Sequence, residues 1–314
     1  MNVPASSTKP VKHVEVPSLL RAVKRRIPKP LKRGARAAAR WYGARTASRR
    51  VRPDFLIVGA KRGGTTSLWN WLVCHPHVAP MFPASQQIKS PHYFDINFTK
   101  GLSWYLSHFP THASLRRIKS RTGVRPICGE ASPYYMFHPF AGERIAATLP
   151  DVKLIVSLRN PIDRAYSNYW ERRGSGAEEL DNFVAAIDAE PGRLTGELDK
   201  LAADPGYYSL DHDCHSYLAR GHYANQLEAL YAHVDPGRIL IVLFDDLTKD
   251  PADTYERVQR FLNIPVATVP KLEHHNRLPV PPMDAETRQR LVEYYRPHNA
   301  RLATLLGRPL NWDR

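Results

Sequence analysis

Two short stretches carry residues that could do chemistry on an anion. The first is FLIVGAKRGGTTSLWNWL, Phe55 to Leu72. From Gly59 it reads G-x-x-x-x-G and then Thr65-Thr66, where a nucleoside triphosphatase has lysine followed by serine or threonine. Gly63 and Gly64 let the backbone come close to a ligand. The amides that follow, with the hydroxyls of Thr65, Thr66 and Ser67, stand at a helix N-terminus, where aligned N–H groups and the helix dipole favour an anion. Lys61 and Arg62 add positive charge. With no lysine after Gly64 and no acidic residue placed for magnesium, a triphosphate is poorly served. A nucleotide with a single phosphate beside a second acidic group fits better. The plainer alternative is a glycine-rich turn with no ligand.

The second stretch is KLIVSLRNPIDRAYSNYW, Lys153 to Trp170. Arg159 leaves an apolar run, and Ser167 lies about two helical turns beyond Pro161. The planar guanidinium fork and a hydroxyl donor suit an isolated phosphate. Alone, Arg159 reads as a surface arginine paired with Asp163; beside the first loop it reads as a ligand.

The elements that must position these residues follow from pattern. Asp54–Val58, Val152–Leu158 and Ile239–Phe244 are apolar runs without alternation, as strands covered on both faces are. Helices are expected over Thr65–His75, from Pro161 to Arg172, over Pro251–Leu262 and over Asp284–Leu306. Such alternation predicts an α/β fold with a mainly parallel sheet, and ligands at the carboxyl ends of its strands. Both anion stretches fall at such ends.

Composition bounds the rest. The chain has 314 residues and a net charge of +15, but residues 1–52 hold 15 Lys/Arg against Glu15 alone, so they carry +14 and the remainder +1. Met1 to about Pro17 reads as disordered. Ser18–Arg26 and Leu31–Tyr42 read as short basic helices. The choices for this extension are a peripheral contact with an anionic membrane, a solvated tail, and nucleic acid. The last is least favoured, since only Trp41 and Tyr42 offer stacking surfaces. No run of about 18 apolar residues and no apolar leader is visible. Cys74, Cys128 and Cys214 are widely spaced, with no metal-type pairing. The expected location is a reducing cytoplasm, with residues 1–52 touching the inner membrane face.

The sequence resembles the sulfotransferases that use 3′-phosphoadenosine 5′-phosphosulfate (PAPS), and most closely the branch that includes the heparan sulfate sulfotransferases and many bacterial relatives. The likeness covers nearly all of residues 53–312. PDFLIVGAKRGGTTSLWNWLVCHP looks like the family's 5′-phosphosulfate loop, and KLIVSLRNPIDRAYSNYW like its 3′-phosphate motif. KSPHYFD, GLSWYLSHFP, GEASPYY, YLARGHYANQLEAL, LFDDL and YYRPHNARLATLLGRPLNW also fit. The resemblance implies a P-loop-type three-layer fold with helices flanking the sheet, forming one domain over residues 53–314. It implies PAPS as co-substrate without a metal, held by Lys61, Arg62, Gly63, Gly64, Thr65, Thr66, Ser67, Arg159 and Ser167. PAPS has no β- and γ-phosphates, so the missing lysine has nothing to reach.

Departures from the family matter as much. The usual catalytic lysine before the paired glycines is Arg62 here, which can stabilise charge but cannot give up a proton. Many relatives have Lys-Glu where this chain has Lys89-Ser90, and that glutamate is the usual base; the heparan type also has lysine where Ala131 stands. His92 is the first substitute base, Glu130 the second and Asp95 the third, each against a purely structural role. The implied reaction is in-line transfer of the sulfuryl group to a hydroxyl, less readily an amine, of a carbohydrate, lipid or small molecule. Tyr93, Phe94, Trp104, Tyr105, Tyr134 and Tyr135 form either an aromatic acceptor wall or core, and Arg172–Tyr208 reads as a mobile lid. A P-loop kinase and a non-catalytic nucleotide binder at a membrane surface are the alternatives.

Overall fold

A computed structural model describes residues 29–86, 88–270 and 280–312. Four strands form its centre: β1 (Phe55–Gly59), β2 (Gly129–Ala131), β3 (Lys153–Leu158) and β4 (Ile239–Leu243). All are parallel, in the order β2-β1-β3-β4. Phe55 pairs with both Gly129 and Lys153, and Leu154 to Leu158 pair with Ile239 to Leu243. Phe55 to Val58, Leu154, Ile155, Val156 and Leu158 are buried, as the unbroken apolar runs require of a sheet flanked by helices. Each such side chain contributes about 1.5–3 kcal/mol through burial.

The three strands expected from apolar runs are present; β2 adds a fourth. Its three residues, Gly129-Glu130-Ala131, have no apolar pattern. They form a strand because β1 offers a free edge and residue 129 has no side chain: a Cβ there would lie 2.4 Å from the Phe55 carbonyl oxygen. At the other edge, Phe244 opens the helix Phe244–Lys249 rather than ending β4.

The expected helices form as Thr65–Val73, Pro161–Ser175, Pro251–Phe261 and Ala285–Leu306. Asn160, Asp250 and Asp284 cap the last three by accepting from Ile162 N, Asp253 N and Thr287 N. Each cap is worth about 1 kcal/mol.

The structure adds detail to three expectations. The stretch Arg172–Tyr208, read as a mobile lid, holds the helices Phe183–Leu194 and Glu197–Ala203. Of its acids, Glu178 and Glu190 bind inward. Glu190 accepts from Leu218 N and Ala219 N at 2.6 and 2.8 Å, and buried Glu178 accepts from Tyr217 Oη at 2.8 Å and from Arg193. Second, Tyr93, Phe94, Tyr105, Tyr134 and Tyr135 are buried, and Tyr93 stacks on Tyr105 at 4.5 Å, so these rings are core rather than an acceptor wall. Only Trp104 of the six is partly exposed. Third, residues just before the expected boundary at 53 pack into the core. Gly43, Ala47, Arg50 and Val51 are buried, Arg50 Nη1 donates to the Phe109 carbonyl at 2.5 Å, and its guanidinium lies 4.0 Å over Phe82. The basic helix Lys29–Arg45 leads into this anchor and covers the expected Leu31–Tyr42 segment. Residues 1–17 and Ser18–Arg26 lie outside the described residues.

Candidate active site

The first anion loop is built by β1 and tied to β3. Ala60 N donates to the Ser157 carbonyl at 2.7 Å, Gly63 N donates to the Ala60 carbonyl at 2.9 Å, and Ser157 Oγ donates to the Gly63 carbonyl at 2.5 Å. A side chain at Gly63 would put Cβ 2.4 Å from the Ser157 carbonyl oxygen. Gly64 has φ +95° and lies against Phe244. Arg62 is also left-handed, at φ +68°. That conformation costs a non-glycine residue roughly 1–2 kcal/mol and is characteristic of ligand clamps. The amides of Gly64, Thr65 and Thr66 have no acceptor among the described residues, so a row of donors opens at the start of the Thr65–Val73 helix. Thr65 is buried, and Ser67 N closes the turn on the Gly64 carbonyl.

The second stretch meets the first. Arg62 Nε donates to Ser167 Oγ at 3.0 Å, across 105 positions of sequence. Arg159 leaves β3 with its carbonyl accepting from Tyr223 Oη at 2.9 Å. Its guanidinium lies 5.0 Å over the Phe244 ring and has no hydrogen-bonding or ion-pair partner among the described residues. Asp163, its partner in the surface reading, is engaged by Arg288 at 2.8 Å. Burial holds both Arg62 and Arg159 below the ordinary arginine value; Glu171 partly offsets this at Arg62, and Asp163 at Arg159. Both stay charged. A desolvated, unpaired guanidinium is poised to gain from an anion.

Not every expected ligand faces this place. Lys61 pairs with Asp213 at 3.6 Å, and Arg220 approaches the same carboxylate at 3.5 Å. Lys61 therefore joins the loop to the Asp211–His215 turn. Lys89 takes a position that sequence reasoning left without a role: its Nζ donates to Thr66 Oγ1 at 2.9 Å. The contact spans 23 residues, and only the place of Lys89 beside the departed base position hinted at it. Ser90, at that base position, donates its hydroxyl to the Ala131 carbonyl.

The two first-choice bases differ in access. His92 is partly exposed and left-handed at φ +51°. Its Nδ1 is 2.8 Å from Oδ2 of buried Asp95, which fixes the ring with Nε2 as the open acceptor. Burial pushes His92 down, but the hydrogen bond and charge of Asp95, with Glu130 and Asp213, outweigh it, so its pKa lies above the ordinary value. Glu130 is fully buried on β2 and accepts three hydroxyls: Ser132 at 2.6 Å, Tyr135 at 2.8 Å and Tyr105 at 3.1 Å. It cannot touch an acceptor. Burial raises it to about 7, against the lowering pull of those hydroxyls and of His92. Glu130 is linked to the His92 backbone through Ser132, whose Oγ also accepts from His92 N at 3.1 Å. Asp95 orients His92 rather than replacing it.

A Sulfotransferase domain model matches residues 52–288. The chain belongs to the sulfotransferase family. Among its relatives is the bifunctional heparan sulfate N-deacetylase/N-sulfotransferase 4 of Mus musculus, 29% identical over 296 residues, covering 83% of this chain and 31% of the relative. Enzyme 3 of that name from Homo sapiens is 29% identical over 311 residues, covering 87% and 32%. The sulfotransferase-family chain thus spans about a third of the length of these curated relatives. A sulfotransferase from Alicyclobacillus acidocaldarius shares the architecture at a TM-score of 0.61, with 28% identity over 84% of this chain and 100% of the other.

Proposed function

We propose that this chain transfers a sulfuryl group from PAPS to a hydroxyl of a glycan or glycolipid. The observation that carries the reading is the pair of open anion sites at adjacent strand ends, the Gly64–Thr66 amides and the unpaired Arg159 guanidinium, joined through Arg62 and Ser167. That pair suits a nucleotide with a 5′-phosphosulfate and a separate 3′-phosphate. In the reaction, the acceptor oxygen attacks sulfur and His92 Nε2 takes its proton. The bond from sulfur to the 5′-phosphate oxygen breaks, its electron pair staying on that phosphate. Adenosine 3′,5′-bisphosphate leaves. Arg62 and the loop amides hold the charge that develops, so positioning and electrostatics dominate. Calorimetry without magnesium tests the donor: adenosine 3′,5′-bisphosphate should bind and ATP should bind less well, and a preference for ATP removes the reading.

An amine acceptor is the second reading, favoured by relatives that are N-sulfotransferases of heparan sulfate. Support for a membrane contact on the cytoplasmic side comes from exposed Trp41 and Tyr42 on the basic Lys29–Arg45 helix, with the Arg45 guanidinium 5.2 Å over Trp41. Binding of the full chain to phosphatidylserine vesicles should fall with salt and with removal of residues 1–42. Equal binding by the shortened chain excludes the contact.

A further inference from the structure

Lys89 is a half-buried cation in the site that the mechanism above does not use. Ala131 N donates to the Lys89 carbonyl at 2.9 Å, and Ser90 Oγ to the Ala131 carbonyl, so this segment runs beside the end of β2. The path aims the Lys89 side chain at the first turn of the Thr65–Val73 helix, where Nζ reaches Thr66 Oγ1. No carboxylate pairs with it among the described residues. The charged groups on the elements around it are engaged elsewhere: Arg62 with Ser167, Glu130 with three hydroxyls, His92 with Asp95, and Asp213 with Lys61. A partly desolvated ammonium whose one partner is a neutral hydroxyl is costly to keep charged. Burial accordingly lowers its pKa to about 8. Thr66 also offers an open amide in the anion loop, so the ammonium stands beside the position an anion would fill.

We propose that Lys89 Nζ is a further ligand of the PAPS 5′-phosphosulfate and stabilises the leaving phosphate oxygen as the sulfuryl group departs. The proposal rests on the sulfotransferase reading. It gives the site a cation from outside the anion loop, complementing Arg62, whose Nε is turned to Ser167. Lys89 donates a hydrogen bond and keeps its proton throughout; the acceptor's proton goes to His92.

One consequence is separate from turnover. In the empty site Lys89 is partly neutral at mildly alkaline pH, and a bound phosphate favours its charged form. The protein therefore takes up a proton on binding, in a window that opens near pH 8 and closes where the bound lysine itself titrates. The nucleotide's own phosphate, which titrates near pH 6, contributes nothing there.

Titration calorimetry with adenosine 3′,5′-bisphosphate at pH 8.5, in two buffers of different ionisation enthalpy, reads this uptake. The wild type should take up roughly half to one proton per nucleotide. Lys89→Met should bind on the order of 10- to 100-fold more weakly, the loss of one charge-assisted hydrogen bond, with no uptake. Lys89→Arg should restore affinity and still take up no proton. Wild-type binding without uptake, or the same uptake in Lys89→Met, overturns the assignment and leaves the sulfotransferase reading standing. A wild type that binds no bisphosphate removes both. A merely structural lysine would change the melting temperature of the empty protein and leave the uptake in place.

Discussion

Replacing Arg159 with alanine tests how the nucleotide is held. In the empty site the guanidinium has no acceptor, so its removal orphans no buried carboxylate; Asp163 keeps Arg288. The loss therefore falls on the ligand rather than on the fold. A bidentate arginine–phosphate contact comprises two charge-assisted hydrogen bonds, each worth about 1.5 kcal/mol at the low end. Their sum, about 3 kcal/mol, corresponds to on the order of 100-fold in affinity. Calorimetry should show that loss for adenosine 3′,5′-bisphosphate. Adenosine 5′-phosphate has no 3′-phosphate and should lose less than about threefold, within what a nearby charge change alone produces. Melting temperatures of wild type and variant should agree without ligand. Equal losses for both nucleotides would place Arg159 at the 5′ end, and no loss for either would refute the two-site reasoning.

His92→Ala should lower turnover by about 10²–10⁴ while leaving bisphosphate affinity nearly unchanged. Because the base must be neutral, the wild-type rate should fall on acidification through a midpoint above the usual histidine value, and Asp95→Asn should move that midpoint down. A pH–rate profile that ignores both substitutions removes His92 as the base. Glu130 gives a stability test. Its folded value, about 7, lies above the ordinary 4.5, so its stabilising contribution is complete below 4.5 and is lost as pH rises through 7. The loss amounts to about 3 kcal/mol. In Glu130→Gln the dependence of melting temperature on pH over that window should flatten; parallel curves for the two proteins count against a carboxyl held this way.

The parts legible in the sequence were those encoded locally. Gly63 and Gly64 after an apolar run, and Arg159 followed by Pro161, are strand-to-helix junctions whose geometry depends on neighbours in the chain. The structure brings them together through Arg62 and Ser167. What was not legible depended on partners far away. β2 exists because Gly129 can lie against Phe55, and the inward contacts of Glu178 and Glu190 depend on donors from Tyr217, Leu218 and Ala219. Glu130 has the residue type of a base, and only the fold shows it buried beneath three hydroxyls, out of an acceptor's reach. Arg50 belongs by charge to the basic extension and by packing to the core. For Lys89 the sequence offered only its place beside Ser90; its contact with Thr66 comes from folding.

The central claim is that the open amides and Arg159 hold PAPS so that its sulfuryl group can move to an acceptor. It is tested most directly by incubating the full chain with sulfur-35-labelled PAPS and an N-deacetylated heparan-type polysaccharide, with a glycolipid extract run in parallel. The account predicts label in an acceptor, dependent on Arg62 and reduced on the order of 10²–10³ in Arg62→Ala. Label that stays in the nucleotide with every acceptor, while the bisphosphate binds tightly, would contradict it and leave a nucleotide-binding protein without transferase activity.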